Sequence, residues 1–337
     1  MILKLKEILW EITGKCSNGC SYCGSADQWD NAPDQETIFE IANKIVTYSP
    51  LEVVISGGDP LLIDSVIHTE IVRMFKDAGI LTKILVNPKS FKCSLSFEQI
   101  LNLYDVVGIS INTKEEADIC KMYKSELPNH TVITNFNLSN VHQAADVFRY
   151  VGTKKWQIQY TMYKPNNDIL SIYKPEQMST VEYLNATLSK FINDGADIVL
   201  ADNCNALPST SCTAGTASLG VLHDGSIIPC LSMRSWVEDI SSVIVGDIKK
   251  DTLQDVWTKA FSCFVTAKNS KCCKDICVNT IQCSTEKGKD GIFDIKGYQY
   301  HPFRGEYPPH AVLAYAVISP DLITTSGTVT ISEFSRE

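Results

Sequence analysis

No stretch of this 337-residue chain approaches the roughly 18 uninterrupted apolar residues of a membrane span, so no bilayer crossing is expected. Positive charge is also short: 30 Lys and Arg face 39 Asp and Glu, a net charge of −9, and without a basic field no nucleic-acid partner is expected. The amino terminus lacks the basic-then-apolar pattern of a secretory signal peptide. The last segment, about 291–337, has no cysteine and no motif, and is expected to be a cap or tail, although Thr328-Val329-Thr330-Ile331 alternates like an edge strand.

Cysteine is what the chain has in quantity. Thirteen cysteines without a signal peptide point to a reducing, cytoplasmic setting, where thiols serve metals rather than disulfides. With 44% apolar residues the chain can bury one large core and a smaller module. Short β-branched runs at 7–13, 51–56, 82–87, 105–112, 131–137 and 156–162 alternate with amphipathic stretches near 35–48, 66–78, 96–102, 114–123 and 140–150. That alternation predicts an α/β fold with a parallel sheet, and ligands of such sheets gather at the carboxyl ends of the strands. A helical connector is expected around 178–193.

Cys16, Cys20 and Cys23 follow the first strand in the run Trp10-Glu11-Ile12-Thr13-Gly14-Lys15-Cys16. Three thiolates so close together would leave one iron of a four-iron cluster open, because such clusters are normally held by four cysteines. A Cys-x2-Cys pair alone also occurs as a zinc knuckle or a redox pair, so the neighbourhood has to decide. The second strand, 51–56, runs directly into Gly57-Gly58-Asp59-Pro60, where glycine suits a turn whose backbone must approach a ligand closely and proline fixes the exit.

The Cys-x3-Cys-x2-Cys motif with Tyr22 before its last cysteine, followed by that turn on the next strand, resembles the radical S-adenosylmethionine enzymes. The resemblance implies a partial (β/α)6 barrel with a [4Fe-4S] cluster on Cys16, Cys20 and Cys23. The methionyl amine and carboxylate of S-adenosyl-L-methionine would chelate the open iron, with Gly57, Gly58 and Asp59 at the ammonium group. One electron would then release methionine and a 5′-deoxyadenosyl radical, the protein supplying position and exclusion of water. Asn87 stands where members often have a Thr-Asn-Gly turn, although here the run is Val86-Asn87-Pro88, and Ser110 and Asn112 are placed for the ribose hydroxyls. Strand-end Asn and Ser also satisfy turn backbones without touching a ligand. Cys93 and Cys120 fit no ligand spacing and read as ordinary thiols.

Eight cysteines lie within the eighty residues from Cys204 to Cys283, a density that asks for a metal. Cys212 and Cys230 flank a predicted β-hairpin turning at Asp224-Gly225, followed by a strand at 245–248 and a helix at 252–257. The order resembles the SPASM auxiliary-cluster extension, or its shortened twitch form, whose Cys-x9–15-Gly-x4-Cys hallmark is met by Cys212, Gly225 and Cys230. Downstream the pattern departs: Cys277-x5-Cys283 fits, Cys273 is one residue too far upstream, and Lys287 stands where a cysteine is usual. One auxiliary [4Fe-4S] cluster is therefore expected, on Cys212, Cys230 and two of Cys273, Cys277 and Cys283. Two clusters are the alternative if Cys204, Cys263 and Cys272 take part, and a zinc site is the other. The expected domains are 1–195 for the barrel, 196–290 for the iron–sulfur extension and 291–337 for the cap.

The resemblance implies a maturase of ribosomally made peptides that abstracts hydrogen from a precursor to cross-link, epimerise or excise backbone, the excising splicease subgroup included. A small-molecule dehydrogenase with one auxiliary cluster and a non-catalytic electron carrier are the alternatives. With the first barrel strand expected to begin near residue 7, no leader-binding module is expected before it, so a separate recognition protein, or the barrel itself, is expected to present the precursor, and an external electron donor is expected. No catalytic acid or base is assigned; Asp202, His223 and Tyr160 are weak candidates.

Overall fold

The structure is a computed structural model describing residues 5–20, 23, 25, 30–91, 93–123, 131–136, 141–152, 155–160, 197–200, 218–231, 234 and 240–256. In chain order its elements begin β1 (Glu7–Glu11), α1 (Gln35–Tyr48), β2 (Glu52–Ser56), α2 (Ser65–Asp77), β3 (Leu81–Val86), α3 (Phe97–Leu103) and β4 (Val106–Ser110). They continue α4 (Lys114–Tyr123), β5 (Thr131–Phe136), α5 (Val141–Val151), β6 (Lys155–Tyr160), β7 (Asp197–Leu200), β8 (Ser218–Val221), β9 (Ser226–Ile228) and β10 (Gly246–Asp247).

Local signals start the helices. Asp34 accepts the Thr37 amide to open α1, Asp64 accepts the Val66 amide at α2, and Ser96 with Gln99 forms a reciprocal capping box at α3. Along α1, Ile38, Ile41 and Ile45 are buried while Glu40 and Asn43 are exposed, the spacing of one helical face turned to a core. Val53, Val54 and Ile55 of β2 are consecutive and all buried, because a parallel strand covered on both faces has no solvent side.

The chain falls into two compact units and crosses from one to the other inside β4. The first unit takes Met1–Gly108 and Thr213–Val265. In it the strand order is β10-β9-β8-β1-β2-β3-β4. Strand β1 pairs parallel with β2 on one side and with β8 on the other. Trp10 of β1 is fully buried and meets Phe75 of α2 edge to face, ring centroids 6.3 Å apart. The second unit takes Ile109–Cys212 and Thr266–Glu337, and there β5 pairs parallel with β6 and β6 with β7. Its core stacks Phe148 of α5 on Trp156 of β6, 4.3 Å between centroids.

The expected hairpin is present: β8 and β9 are antiparallel, Gly225 takes a φ of +94°, and Asp224 accepts the Ser226 amide across the turn. The expected strand and helix after it appear as β10, paired with β9, and a helical turn at Leu253–Asp255 capped by Thr252. Two features were not expected: β7, and the docking of the hairpin's first strand alongside β1. Four residues of β7 carry too short a pattern to stand out, and partner choice between distant strands leaves no local signal. The connector at 178–193 and the tail strand at 328–331 lie outside the described residues. Among the described residues no helix is long and apolar enough to cross a membrane.

Candidate functional site

Strand β1 ends at Glu11, level with Ser56 at the end of β2, and the loop bearing Cys16, Cys20 and Cys23 begins there. The Ile12 amide still bonds the Ser56 carbonyl (3.0 Å); then Gly58 N–H donates to Thr13 O (2.7 Å) and Asp59 N–H to Lys15 O (2.8 Å). The Gly-Gly-Asp-Pro turn is thus laced to the start of the cysteine loop. Both glycines are required by that lacing. Gly57 has a φ of +142°, and a Cβ there would lie 2.5 Å from the Thr13 carbonyl oxygen; one on Gly58 would overlap the carbonyls of Gly14 and Lys15. The close approach seen at these glycines is made to the cysteine loop's own backbone.

All three thiols are half-buried. Backbone amides point at two of them: Asn18 N–H donates to Cys16 Sγ (3.4 Å) and Ser25 N–H to Cys23 Sγ (3.3 Å). Burial pushes the Cys16 thiol up, the nearby Asp59 and Cys23 charges add to that, and the Asn18 amide pulls it back. Such N–H to sulfur bonds are one of the levers that set the potential of an iron–sulfur cluster. Among the described residues no group of three or more His, Cys, Asp or Glu converges on a single metal ion.

Asp59 is 1% exposed. Its carboxylate accepts from Asn18 Nδ2 (3.2 Å), from the Ser90 hydroxyl and from the Leu61 amide (3.1 Å), the last capping the short 3-10 turn Pro60–Leu62. Burial raises its pKa, and the bonds from Ser90, Leu61 and Asn18 oppose the shift. Behind the turn, His68 Nε2 lies 2.8 Å from the Pro60 carbonyl and Nδ1 2.6 Å from the Tyr104 hydroxyl. A carbonyl can only accept, so Nε2 carries the proton and Nδ1 accepts from Tyr104. Burial lowers the His68 pKa and keeps this link neutral, although the bond to Pro60 and the Asp64 charge act the other way.

The last residue of β1 is a second anchor. Glu11 is 2% exposed, and Oε1 accepts from Arg234 (2.9 Å) and from His223 Nδ1 (2.8 Å) while Oε2 accepts from the Ser25 hydroxyl (3.1 Å). His223 belongs to the turn of the β8–β9 hairpin, and Arg234, itself buried, follows Cys230. One carboxylate thereby holds the segment beside Cys23 and the segment beside Cys230.

Asn87 caps the short 3-10 turn Pro88–Ser90, its Oδ1 accepting the Lys89 amide (2.9 Å). In the second unit, half-buried Ser110 ends β4, and the buried Asn112 gives its backbone amide to Glu116 (2.6 Å), whose carboxylate also takes the Thr113 amide at the start of α4. Cys93 is exposed and Cys120 buried. Tyr22, Cys212, Cys273, Cys277 and Cys283 lie outside the described residues, as do Asp202, Cys204, Cys263 and Cys272.

The sequence reading gave no site role to Glu11, Asn18, Ser25, Ser90, His68 or Arg234. A charged residue inside the apolar run Ile8-Leu9-Trp10-Glu11-Ile12 was the available signal, since a buried carboxylate needs partners. Arg234 carries no local signal.

Residues 212–279 match the family model of the SPASM iron–sulfur cluster-binding domain. Among solved structures, SuiB of Streptococcus suis bound to S-adenosylmethionine matches with a TM-score of 0.62 at 16% identity, over 88% of this chain and 78% of that one. Another SuiB crystal structure from the same organism matches at 0.59 and 14%, over 87% and 77%. The anSMEcpe structure with bound AdoMet and the Cp18Cys peptide matches at 0.61 and 13%, over 92% and 96%. No curated protein sequence matches. The chain shares the α/β fold of these solved structures, two of which hold S-adenosylmethionine or AdoMet, and its residues 212–279 match an iron–sulfur cluster-binding domain of the SPASM family.

Proposed function

We propose that this protein is a radical S-adenosylmethionine peptide maturase. The observation that carries the proposal is the lacing of the Gly57-Gly58-Asp59 turn onto the loop of Cys16, Cys20 and Cys23 at the carboxyl ends of β1 and β2. In this reading the three thiolates hold a [4Fe-4S] cluster. The donor set suits it: three half-buried sulfurs, two with an amide N–H aimed at them, on a loop fixed by a second strand end. With S-adenosylmethionine bound, the cluster supplies reductive cleavage to a 5′-deoxyadenosyl radical.

The chain's residues bind and orient. A carboxylate offers about four acceptor positions. Asn18, Ser90 and Leu61 occupy three on Asp59, which leaves one for the methionyl ammonium group. Tyr22 and Asn87 belong with the cofactor contacts, and Ser110 and Asn112 serve the ribose. Cys212 and Cys230, with two of Cys273, Cys277 and Cys283, hold one auxiliary cluster. The barrel takes 1–195, the iron–sulfur extension 196–290 and the cap 291–337. SuiB and anSMEcpe are solved with S-adenosylmethionine or AdoMet, and anSMEcpe also with a peptide, which supports a peptide substrate here. The reaction abstracts hydrogen from a ribosomally made precursor, electrons come from an external donor, and a separate recognition protein presents the precursor.

The test is anaerobic reconstitution with iron and sulfide, reduction with S-adenosylmethionine, and mass measurement of candidate precursor peptides. A precursor-dependent mass change is expected. Cofactor cleavage stimulated by a small metabolite and by no peptide would overturn the substrate class, and tight binding of precursor by this chain alone would overturn the separate recognition protein.

A further inference from the structure

The Glu11 anchor has a direction to it. Ser25 makes two bonds at once: its hydroxyl donates to Glu11 Oε2 (3.1 Å) and its backbone amide to Cys23 Sγ (3.3 Å). The other carboxylate oxygen, Oε1, is held from the hairpin side by Arg234 (2.9 Å) and His223 (2.8 Å). Glu11, with its side chain 2% exposed, and Arg234, with its side chain 4% exposed, form a buried ion pair, the kind of contact that fixes a carboxylate in one orientation. A fixed carboxylate orients the Ser25 hydroxyl, and the hydroxyl orients the amide beside it.

We propose that Glu11 is a positioning residue through which the hairpin carrying Cys230 holds the Ser25 amide on the Cys23 sulfur. The inference rests on the reading that Cys23 ligates the amino-terminal cluster. It adds that the potential of that cluster depends on Arg234, a residue that follows Cys230 and bonds Glu11 Oε1. An amide donating to a ligating sulfur stabilises the reduced, more negative cluster, so loss of the bond moves the potential negative.

Two readouts test it on the full chain. In metal-free protein, amide hydrogen exchange is followed at Ser25 and, as an internal control, at Asn18, whose amide serves Cys16 without Glu11. Glu11→Gln and Arg234→Met are each expected to speed Ser25 exchange about fivefold, the factor for one ordinary hydrogen bond, and to leave Asn18 unchanged. Arg234→Lys restores most of the protection. Acceleration at both amides alike, or at neither, overturns the proposal. In reconstituted protein, Ser25→Ala, which breaks the link to Glu11 without changing any charge, is expected to shift the amino-terminal cluster's midpoint potential negative, and an unchanged potential overturns the proposal. Iron uptake by the wild type that is lost in Cys16→Ala tests the cluster reading separately, so the two failures are distinguishable.

Discussion

Among the described residues two glutamates are buried, Glu11 at 2% and Glu116 at 3% exposure, and they solve the same problem differently. Glu116 bonds the backbone amides of Asn112 and Thr113, four and three residues away, and Thr113 returns a bond to the Glu116 amide. It is a helix cap, and its partners come with the local sequence. Glu11 bonds Ser25, His223 and Arg234, at separations of 14, 212 and 223 residues. Its partners exist only once the sheet has formed and β8 lies beside β1. A buried carboxylate served locally stabilises one element; one served from afar ties segments together, and here those segments carry candidate ligands.

The contrast can be broken by substitution. Glu11→Ala leaves Arg234 charged and buried, and is expected to cost about 3–5 kcal/mol in urea unfolding, with the double variant Glu11→Met, Arg234→Met recovering most of the loss. If the single variant costs under about 1 kcal/mol, Glu11 is no more than a local contact. Gly57→Ala pushes a Cβ against the Thr13 carbonyl at a φ of +142° and is expected to cost about 1–3 kcal/mol, with loss of iron uptake. Unchanged uptake would show that the turn does not brace the loop.

Glu116→Ala removes a cap, at about 1 kcal/mol, and opens α4 locally. Alkylation of Cys120, buried four residues further along α4, should speed up in that variant and stay slow in Glu11→Gln. The smallest effect is a pH dependence. Burial pushes the Cys120 thiol from 9.0 up to about 12, so the folded state keeps a proton that the unfolded chain gives up. The contribution is whole below pH 9 and is lost as pH rises towards 12. At pH 9 the loss is about 0.4 kcal/mol, a factor of two in the unfolding constant. Unfolding at pH 7 and pH 9 in wild type and Cys120→Ala measures it, and equal slopes in the two would contradict the assignment.

The same division explains what could be read from the sequence. The alternation of the first six strands and five helices was legible because periodicity and caps such as Asp34, Asp64 and Ser96 are local. The Asp224-Gly225 hairpin and the cysteine loop were legible for the same reason. A glycine turn at Gly57 and Gly58 was legible, while its close fit against the neighbouring loop was not. Asn87 also caps the 3-10 turn Pro88–Ser90, a local role that strand-end Asn residues commonly take. Arg234 and Ser90 became visible only in three dimensions, since each meets a carboxylate far away in the chain.

Under the proposed function, Cys16, Cys20 and Cys23 hold a reducible cluster that splits S-adenosylmethionine. It is tested most directly by quantifying 5′-deoxyadenosine after anaerobic reduction of reconstituted protein with the cofactor present. The account expects its formation in the wild type and none in Cys16→Ala; fully iron-loaded wild type that forms none, or a Cys16→Ala variant that forms as much, would contradict it.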